Sequence, residues 1–276
     1  MRYKLIIAYD GAAFHGWQKQ YAQPDRRPLR TVAAVVEDAL QRVVRQPLDL
    51  VGASRTDAGV HAQGQVAHFN ADLPLPCSKL ALAVNSRLPK DVEVRSAEPA
   101  ADDFDAISDA IRKRYRYRIF NTARRPLGQR QYVWHCWTPL DQQRMNRAAA
   151  RLIGTHDFAG FAAAGHGRTT TVRTVFDCRV EQDGIEKHVV VEGDGFLYNM
   201  VRIIAGTLAE VGRGRFEPEV IDEIIASGDR ARAGPTLPAS GLCLEWIQHR
   251  EKGRTGDGTN GPQDNGTAGG ESETRP

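Results

Sequence analysis

Within eighteen residues, from Gly52 to Phe69, the chain gathers a carboxylate, a guanidinium, hydroxyl groups, two imidazoles and three glycines in the stretch GASRTDAGVHAQGQVAHF. A carboxylate ionised at neutral pH is a nucleophile or a base, and a guanidinium alongside holds it charged and aimed. Asp57, two residues after Arg55, sits in that company. Leu48, Leu50 and Val51 before the stretch, and Gln65 to Phe69 after Gly64, have strand character. Arg55 to Gln63 is therefore the predicted connecting loop, a common mounting for reactive groups on a rigid scaffold. A Thr-Asp-Ala-Gly tetrapeptide alone is equally ordinary turn chemistry, with the Asp bonding its own backbone and Gly59 supplying a positive φ.

The elements that must position this loop follow from apolar spacing. Tyr3, Leu5, Ile7 and Tyr9 alternate as one face of a strand. Thr31 is placed to cap a helix whose apolar stripe is Val32, Val35, Val36, Ala39, Leu40, Val43 and Val44. Two strands flank the Asp57 loop, Ser78 opens a helix through Leu80, Val84 and Leu88 up to Pro89, and 91–95 reads as a strand. The order is β-α-β-β-α-β. It repeats with a strand at Lys113–Phe120, a helix from Asp141 to Ile153 and strands at Val172–Gln182 and Ile185–Glu192 about an Asp183-Gly184 turn. A helix from about Leu197, a short one beginning at Glu217-Pro218 and a strand at Leu242–Gln248 complete it. The expectation is α+β: two tandem ferredoxin-like (RRM-like) halves, 1–105 and 106–249, around a largely antiparallel sheet with a central RNA-binding cleft.

In Arg112-Lys113-Arg114-Tyr115-Arg116-Tyr117-Arg118, strand periodicity puts Arg114, Arg116 and Arg118 on one face and Tyr115, Tyr117 and Ile119 on the other. Such a strand can meet phosphates and stack a base, or it can be a solvated cationic face over an aromatic core; spacing alone does not choose. With 41% hydrophobic and 26% charged residues, the composition is that of a soluble globular protein. No run reaches the roughly 18 apolar residues of a membrane span, and no signal-peptide pattern opens the chain. Cys77, Cys136, Cys178 and Cys243 form no CxxC pair, which argues for buried thiols in a reducing cytosol and against a metal site. The segment 250–276 is Gly-, Thr-, Asn- and Glu-rich and reads as a disordered tail. It holds four basic and five acidic residues, a net −1, so with a total of +3 the rest of the chain carries +4, permitting a polyanionic partner without demanding one.

These residues resemble TruA-type tRNA pseudouridine synthases. The likeness rests on YDGAAFHGWQKQ near the N-terminus, GASRTDAGVHAQGQVAHF, KRYRYRIFN, FLYNMVRIIAGTLAEVG at 196–212 and AGPTLPASGLCLEW at 233–246, collinear over residues 1–248. It implies that Asp57 is the nucleophile, that Arg55 helps extrude the target base and that Tyr115 packs on the uracil. It implies further that Arg202 pairs with the carboxylate and that Leu242 belongs to an apolar lid. The implied substrate is uridine at positions 38, 39 and 40 of the tRNA anticodon stem-loop, and the implied assembly a cytoplasmic homodimer. Opening the N1–C1′ bond and bonding C5 to C1′ calls for a nucleophile and for base flipping, and for neither cofactor nor metal. Attack at C6, attack at C1′ and a glycal route all remain open. His15 and His61 lie in the same loops and are read as structural or RNA contacts. Where the family commonly carries His-Ala-Arg before the basic strand, Phe104-Asp105-Ala106-Ile107 stands here, and with Asp109 it puts RNA contacts there in question. Two rival readings are a non-catalytic RNA-binding protein, which would have no use for Asp57 beside Arg55, and an aspartyl hydrolase, which needs a second facing carboxylate; a pseudouridine synthase acting on another RNA is the nearer competitor.

Overall fold

The computed structural model describes residues 1–20, 29–163 and 169–250, so the tail expected from 250 onward lies, Arg250 apart, outside them. In chain order the first half comprises β1 (Arg2–Tyr9), α1 (Val32–Val44), β2 (Val51–Gly52), β3 (His61–Asn70), α2 (Leu80–Asn85) and β4 (Val92–Ala100). The second comprises β5 (Ala110–Asn121), β6 (Trp134–Cys136), α3 (Gln142–Ala150), β7 (Gly154–Asp157), β8 (Val172–Asp183), β9 (Glu186–Gly193), α4 (Met200–Gly212), α5 (Val220–Ser227) and β10 (Leu242–His249). All strands join one sheet in the order β4-β1-β3-β10-β5-β9-β8-β7, with β2 beside β3 and β6 beside β5. In the first half β1 lies between β4 and β3, and in the second β5 lies between β10 and β9, with the first strand central in each as in the ferredoxin-like arrangement. The class is α+β, and the sheet is antiparallel except where β10 runs parallel to β3 and β6 to β5.

The halves fuse at that β3–β10 pair, where Cys243 faces His61 and Leu244 faces Ala62. Glycine at 64 permits it, because a Cβ there would sit 2.5 Å from the Glu245 carbonyl oxygen. One face of the sheet carries the helices. Leu5, Ile7, Phe69, Tyr117, Ile119, Val189 and Val191 join Val36, Leu40, Leu80, Met145, Ile204 and Leu208 in a single apolar cluster. Among the described residues, Ala53, Val66, Phe104 and Ala106 form a small apolar cluster on the other face, where β5 presents Arg112, Arg114, Arg116 and Arg118 and β9 presents Glu186, His188, Val190 and Glu192.

Several local expectations shift. Thr31 precedes α1 in extended conformation, but its buried hydroxyl makes no capping bond. The Ser78 helix begins as a 3-10 turn over Cys77–Lys79 and continues as α-helix for six residues only, ending before Leu88. The third helix stops at Ala150, and α4 starts at Met200, three residues later than its apolar stripe suggests. β6 and β7 carry no clear alternation in sequence and owe their existence to pairing with β5 and β8. All four cysteines are free, with Cys136 and Cys178 buried and Cys77 and Cys243 half-buried.

Candidate active site

From β2 the chain lifts off the sheet and is tied down at nearly every second residue. The Ala53 N–H donates to the Val66 carbonyl at 2.8 Å, the last strand-like bond before the loop. At Ser54 a side chain replaces the ladder: the buried Gln65 amide donates to the Ser54 carbonyl at 2.5 Å and accepts from its N–H at 3.2 Å. The Thr56 hydroxyl meets the Tyr9 hydroxyl at 2.7 Å, and the Thr56 carbonyl accepts from Trp17 N–H at 3.0 Å. The loop closes with Val60 N–H on the Asp57 carbonyl and Gly59 N–H on Phe14, Gly59 adopting φ +81° as a turn requires. With residues 54 and 56 turned inward, Arg55 points into solvent and, among the described residues, makes no hydrogen bond or ion pair.

Asp57 stands at the end of this tether with its side chain 30% exposed, and its Oδ2 lies 3.5 Å from Nη1 of Arg202 on α4. Burial pushes the carboxyl above the usual aspartate range, and the Arg202 charge and hydrogen bond offset only part of that. Arg202 itself is fixed by shorter bonds, Nε donating to the Leu237 carbonyl at 2.7 Å and Nη1 to Asn199 Oδ1 at 2.6 Å. Tyr115, buried on the helix-covered face, meets the Ser54 hydroxyl at 3.0 Å and sets its ring edge-on to Phe196 at 5.3 Å. Burial raises its phenol to about 12, the Ser54 bond counteracts and the Asp57 charge adds to the rise. Leu242 opens β10 opposite Tyr117 and is buried in the same wall. Asp57, Arg202, Tyr115 and Leu242 thus converge from both halves.

Arg114, Arg116 and Arg118 do not join them. Pleating sends these side chains to the opposite face, where each is paired: Arg114 with Glu192, Arg116 with Glu245 at 2.6 Å and Arg118 with both oxygens of Glu186 at 2.9 and 2.8 Å. A cavity of about 610 Å³ opens on that side, lined by Asp10, His61, Arg116, Arg118, His188 and Glu245, and Asp57 is not part of it. His61 is spent as a strut, its Nδ1 accepting from Gly11 N–H and its Nε2 donating to the Gln131 carbonyl. The His15 ring is exposed. Asp105 accepts from Ile107 N–H, Ser108 N–H and the Ser108 hydroxyl, while buried Asp109 accepts from Asp105 N–H. Those two acids therefore build their own turn. Gln65, Ser54 and Asn199 escape sequence reasoning; the one available signal is a glutamine at a position that shares its face with buried Ala67 and Phe69. Among the described residues no group of His, Cys, Asp and Glu is arranged to hold a metal ion, and no helix is long and apolar enough to cross a membrane.

A family model described as tRNA pseudouridine synthase matches residues 5–107 and 148–248. The chain is 43% identical over 245 residues to tRNA pseudouridine synthase A 2 of Clostridium perfringens, covering 88% of this chain and 98% of that protein. It is 47% identical over 247 residues to tRNA pseudouridine synthase A of Syntrophotalea carbinolica, covering 89% and 95% of the two chains. The same protein of Moorella thermoacetica is 45% identical over 246 residues, covering 89% and 98%. The chain belongs to the tRNA pseudouridine synthase family. Its enzymatic class is that of the tRNA pseudouridine isomerases, as the RTDAGVHA stretch leads one to expect.

Proposed function

We propose that this enzyme converts uridine to pseudouridine at positions 38, 39 and 40 of the tRNA anticodon stem-loop, with Asp57 as nucleophile. The observation that carries the reading is a loop anchored at 53, 54, 56 and 59 that holds one carboxylate 3.5 Å from one guanidinium and beside a buried tyrosine. The isomerisation balances within the substrate: N1–C1′ breaks, C5–C1′ forms, C5 gives up a proton and N1 takes one. What the protein must add is a nucleophile to trade places with the base and a means of extracting that base from the stem-loop. Flipping costs a few kcal/mol, and stacking on an aromatic ring returns about 1–3 kcal/mol. Tyr115 and Leu242 are assigned the walls of the uracil pocket, and Arg55, exposed and unpaired, the displacement of the base. Arg202 offsets part of the burial that disfavours the charged carboxylate. Arg114, Arg116 and Arg118, which on spacing alone could meet phosphates, are assigned instead to the sheet, because their guanidiniums already have carboxylate partners on the far face. The tRNA lies across halves 1–105 and 106–249, and the enzyme works as a cytosolic homodimer.

Tritium release from tRNA labelled at C5 of uridine reads the reaction, since C5 loses its hydrogen when it bonds C1′. The intact protein should release tritium from anticodon stem-loops carrying uridine at those positions. Asp57→Ala should release none while still binding tRNA. Release undiminished in Asp57→Ala would remove the nucleophile assignment, and release confined to other RNAs would remove the substrate assignment.

A further inference from the structure

Among the described residues, Arg202 is the only cation within ion-pair reach of Asp57, yet Asp57 is its longest contact. The guanidinium lies 2.6 Å from Asn199 Oδ1 and 2.7 Å from the Leu237 carbonyl, against 3.5 Å to Asp57 Oδ2. Its direction is therefore set by the two short bonds. Asn199 is unusual in two further ways. It is one of two non-glycine residues with positive φ among the described residues, at φ 61° and ψ 4°, a conformation asparagine tolerates at some cost. It also occupies the N-cap of α4, where an asparagine oxygen would ordinarily accept a free N–H of the first turn, but it makes no such bond. The oxygen goes to Arg202, three residues on, a cation in the first turn where the helix dipole disfavours positive charge. A cap is given up and a strained backbone is kept so that one guanidinium is held.

We propose that Asn199 is a positioning residue, whose amide oxygen acts with the Leu237 carbonyl to aim the Arg202 guanidinium at the Asp57 carboxylate. The proposal rests on the reading of Asp57 as the reacting carboxylate. Leu237 contributes through its main chain, so Asn199 is the partner that substitution can remove. Few other charges complicate the pair. From α4 only Arg202 faces Asp57; from β5 the Tyr115 phenol does, and the strap 234–241 carries no charged residue. On its own segment, His61 is turned to Asp10 and Gln131, and Arg55 is in solvent.

Asn199→Gly is the informative variant, because glycine adopts positive φ without strain and only the amide is lost. Two readouts are needed: the carbon-13 titration of the Asp57 carboxyl without RNA, and single-turnover tritium release against pH. With the aim lost, the titration midpoint should rise, and release near neutral pH should fall about 10-fold, as for one oriented bond to a charged group. Asn199→Ala removes the same oxygen, so its midpoint should rise too. A folded Asn199→Gly, or failing that Asn199→Ala, with the wild-type midpoint would overturn the proposal. A midpoint that moves in protein whose wild type releases no tritium supports the positioning and removes the catalytic reading instead.

Discussion

Alternate residues of β5 face two environments that treat charge in opposite ways. On the helix-covered side, beside Tyr115 and Tyr117, stand one carboxylate and one guanidinium 3.5 Å apart, and burial wins over the pairing so that Asp57 sits above the ordinary aspartate range. On the other side, Arg112 and Arg114 share Glu192, Arg116 meets Glu245, and Arg118 and His188 share Glu186. Burial opposes the charge of Glu186 as well, but bonds from Arg118 and His188 outweigh it and hold that carboxyl below the usual range. On that face each of Glu186, Glu192 and Glu245 has a cationic partner within 3 Å, whereas the one cation near Asp57 stands at 3.5 Å. A single, loosely paired carboxylate retains both reactivity and the cost of being buried.

If that contrast is right, removing a cation has different consequences on the two faces. Arg202→Ala should slow single-turnover release by about 100-fold, the scale for losing one partner of a hydrogen-bonded charge pair. Arg116→Ala and Arg118→Ala should leave the rate and the salt dependence of tRNA binding close to wild type. A drop of about one in the salt slope per arginine would instead make them phosphate contacts and erase the distinction.

Removing an anion should do the reverse. Glu192 is 3% exposed and serves two guanidiniums that are 38% and 28% exposed. Breaking a fully buried pair costs about 3–5 kcal/mol; with these arginines partly hydrated, Glu192→Ala should cost about 1–3 kcal/mol in urea unfolding. The activity of the molecules that remain folded should be unchanged. Ser54→Ala tests the Asp57 side more gently. It removes one neutral hydrogen bond to Tyr115, worth about 1 kcal/mol, so release should slow about 5-fold without loss of stability on the Glu192 scale.

The contrast also marks where sequence reading succeeds and where it stops. Local signals suffice for the Asp57 loop, for the stripes of α1 and α4 and for the period-two split of β5, since each is written within a dozen neighbours. Which face of β5 meets solvent as free charge is written elsewhere, in Glu186 and Glu192 on β9 and Glu245 on β10, and becomes visible only once the strands pair. The parallel junction of β10 with β3 is likewise remote from its cause, a glycine at 64 that lets two backbones approach. Asn199 is hidden for a different reason. Its type and position suggest a helix cap, and only the path of the Arg202 side chain reveals the other use of its oxygen.

The smallest effect separates the two faces by sign. A carboxyl whose folded-state pKa is raised favours folding in its protonated form, so its contribution is present in acid and is lost as pH climbs through the unfolded and then the folded value. Asp57 is such a group. A carboxyl whose folded value is lowered contributes above its unfolded value and loses that contribution as pH falls through the folded one, which is the case for Glu186. Asp57→Asn, a neutral isostere, should therefore melt at or slightly above wild type at neutral pH, and the advantage should vanish in the acid range. Glu186→Gln should melt below wild type at neutral pH, with the deficit shrinking in acid. Parallel melting curves for both variants across pH would mean that the two carboxylates are equally well compensated. A stabilised Asp57→Asn that releases no tritium would mean that the enzyme carries its nucleophile at the expense of its own stability, as active sites built for reactivity do.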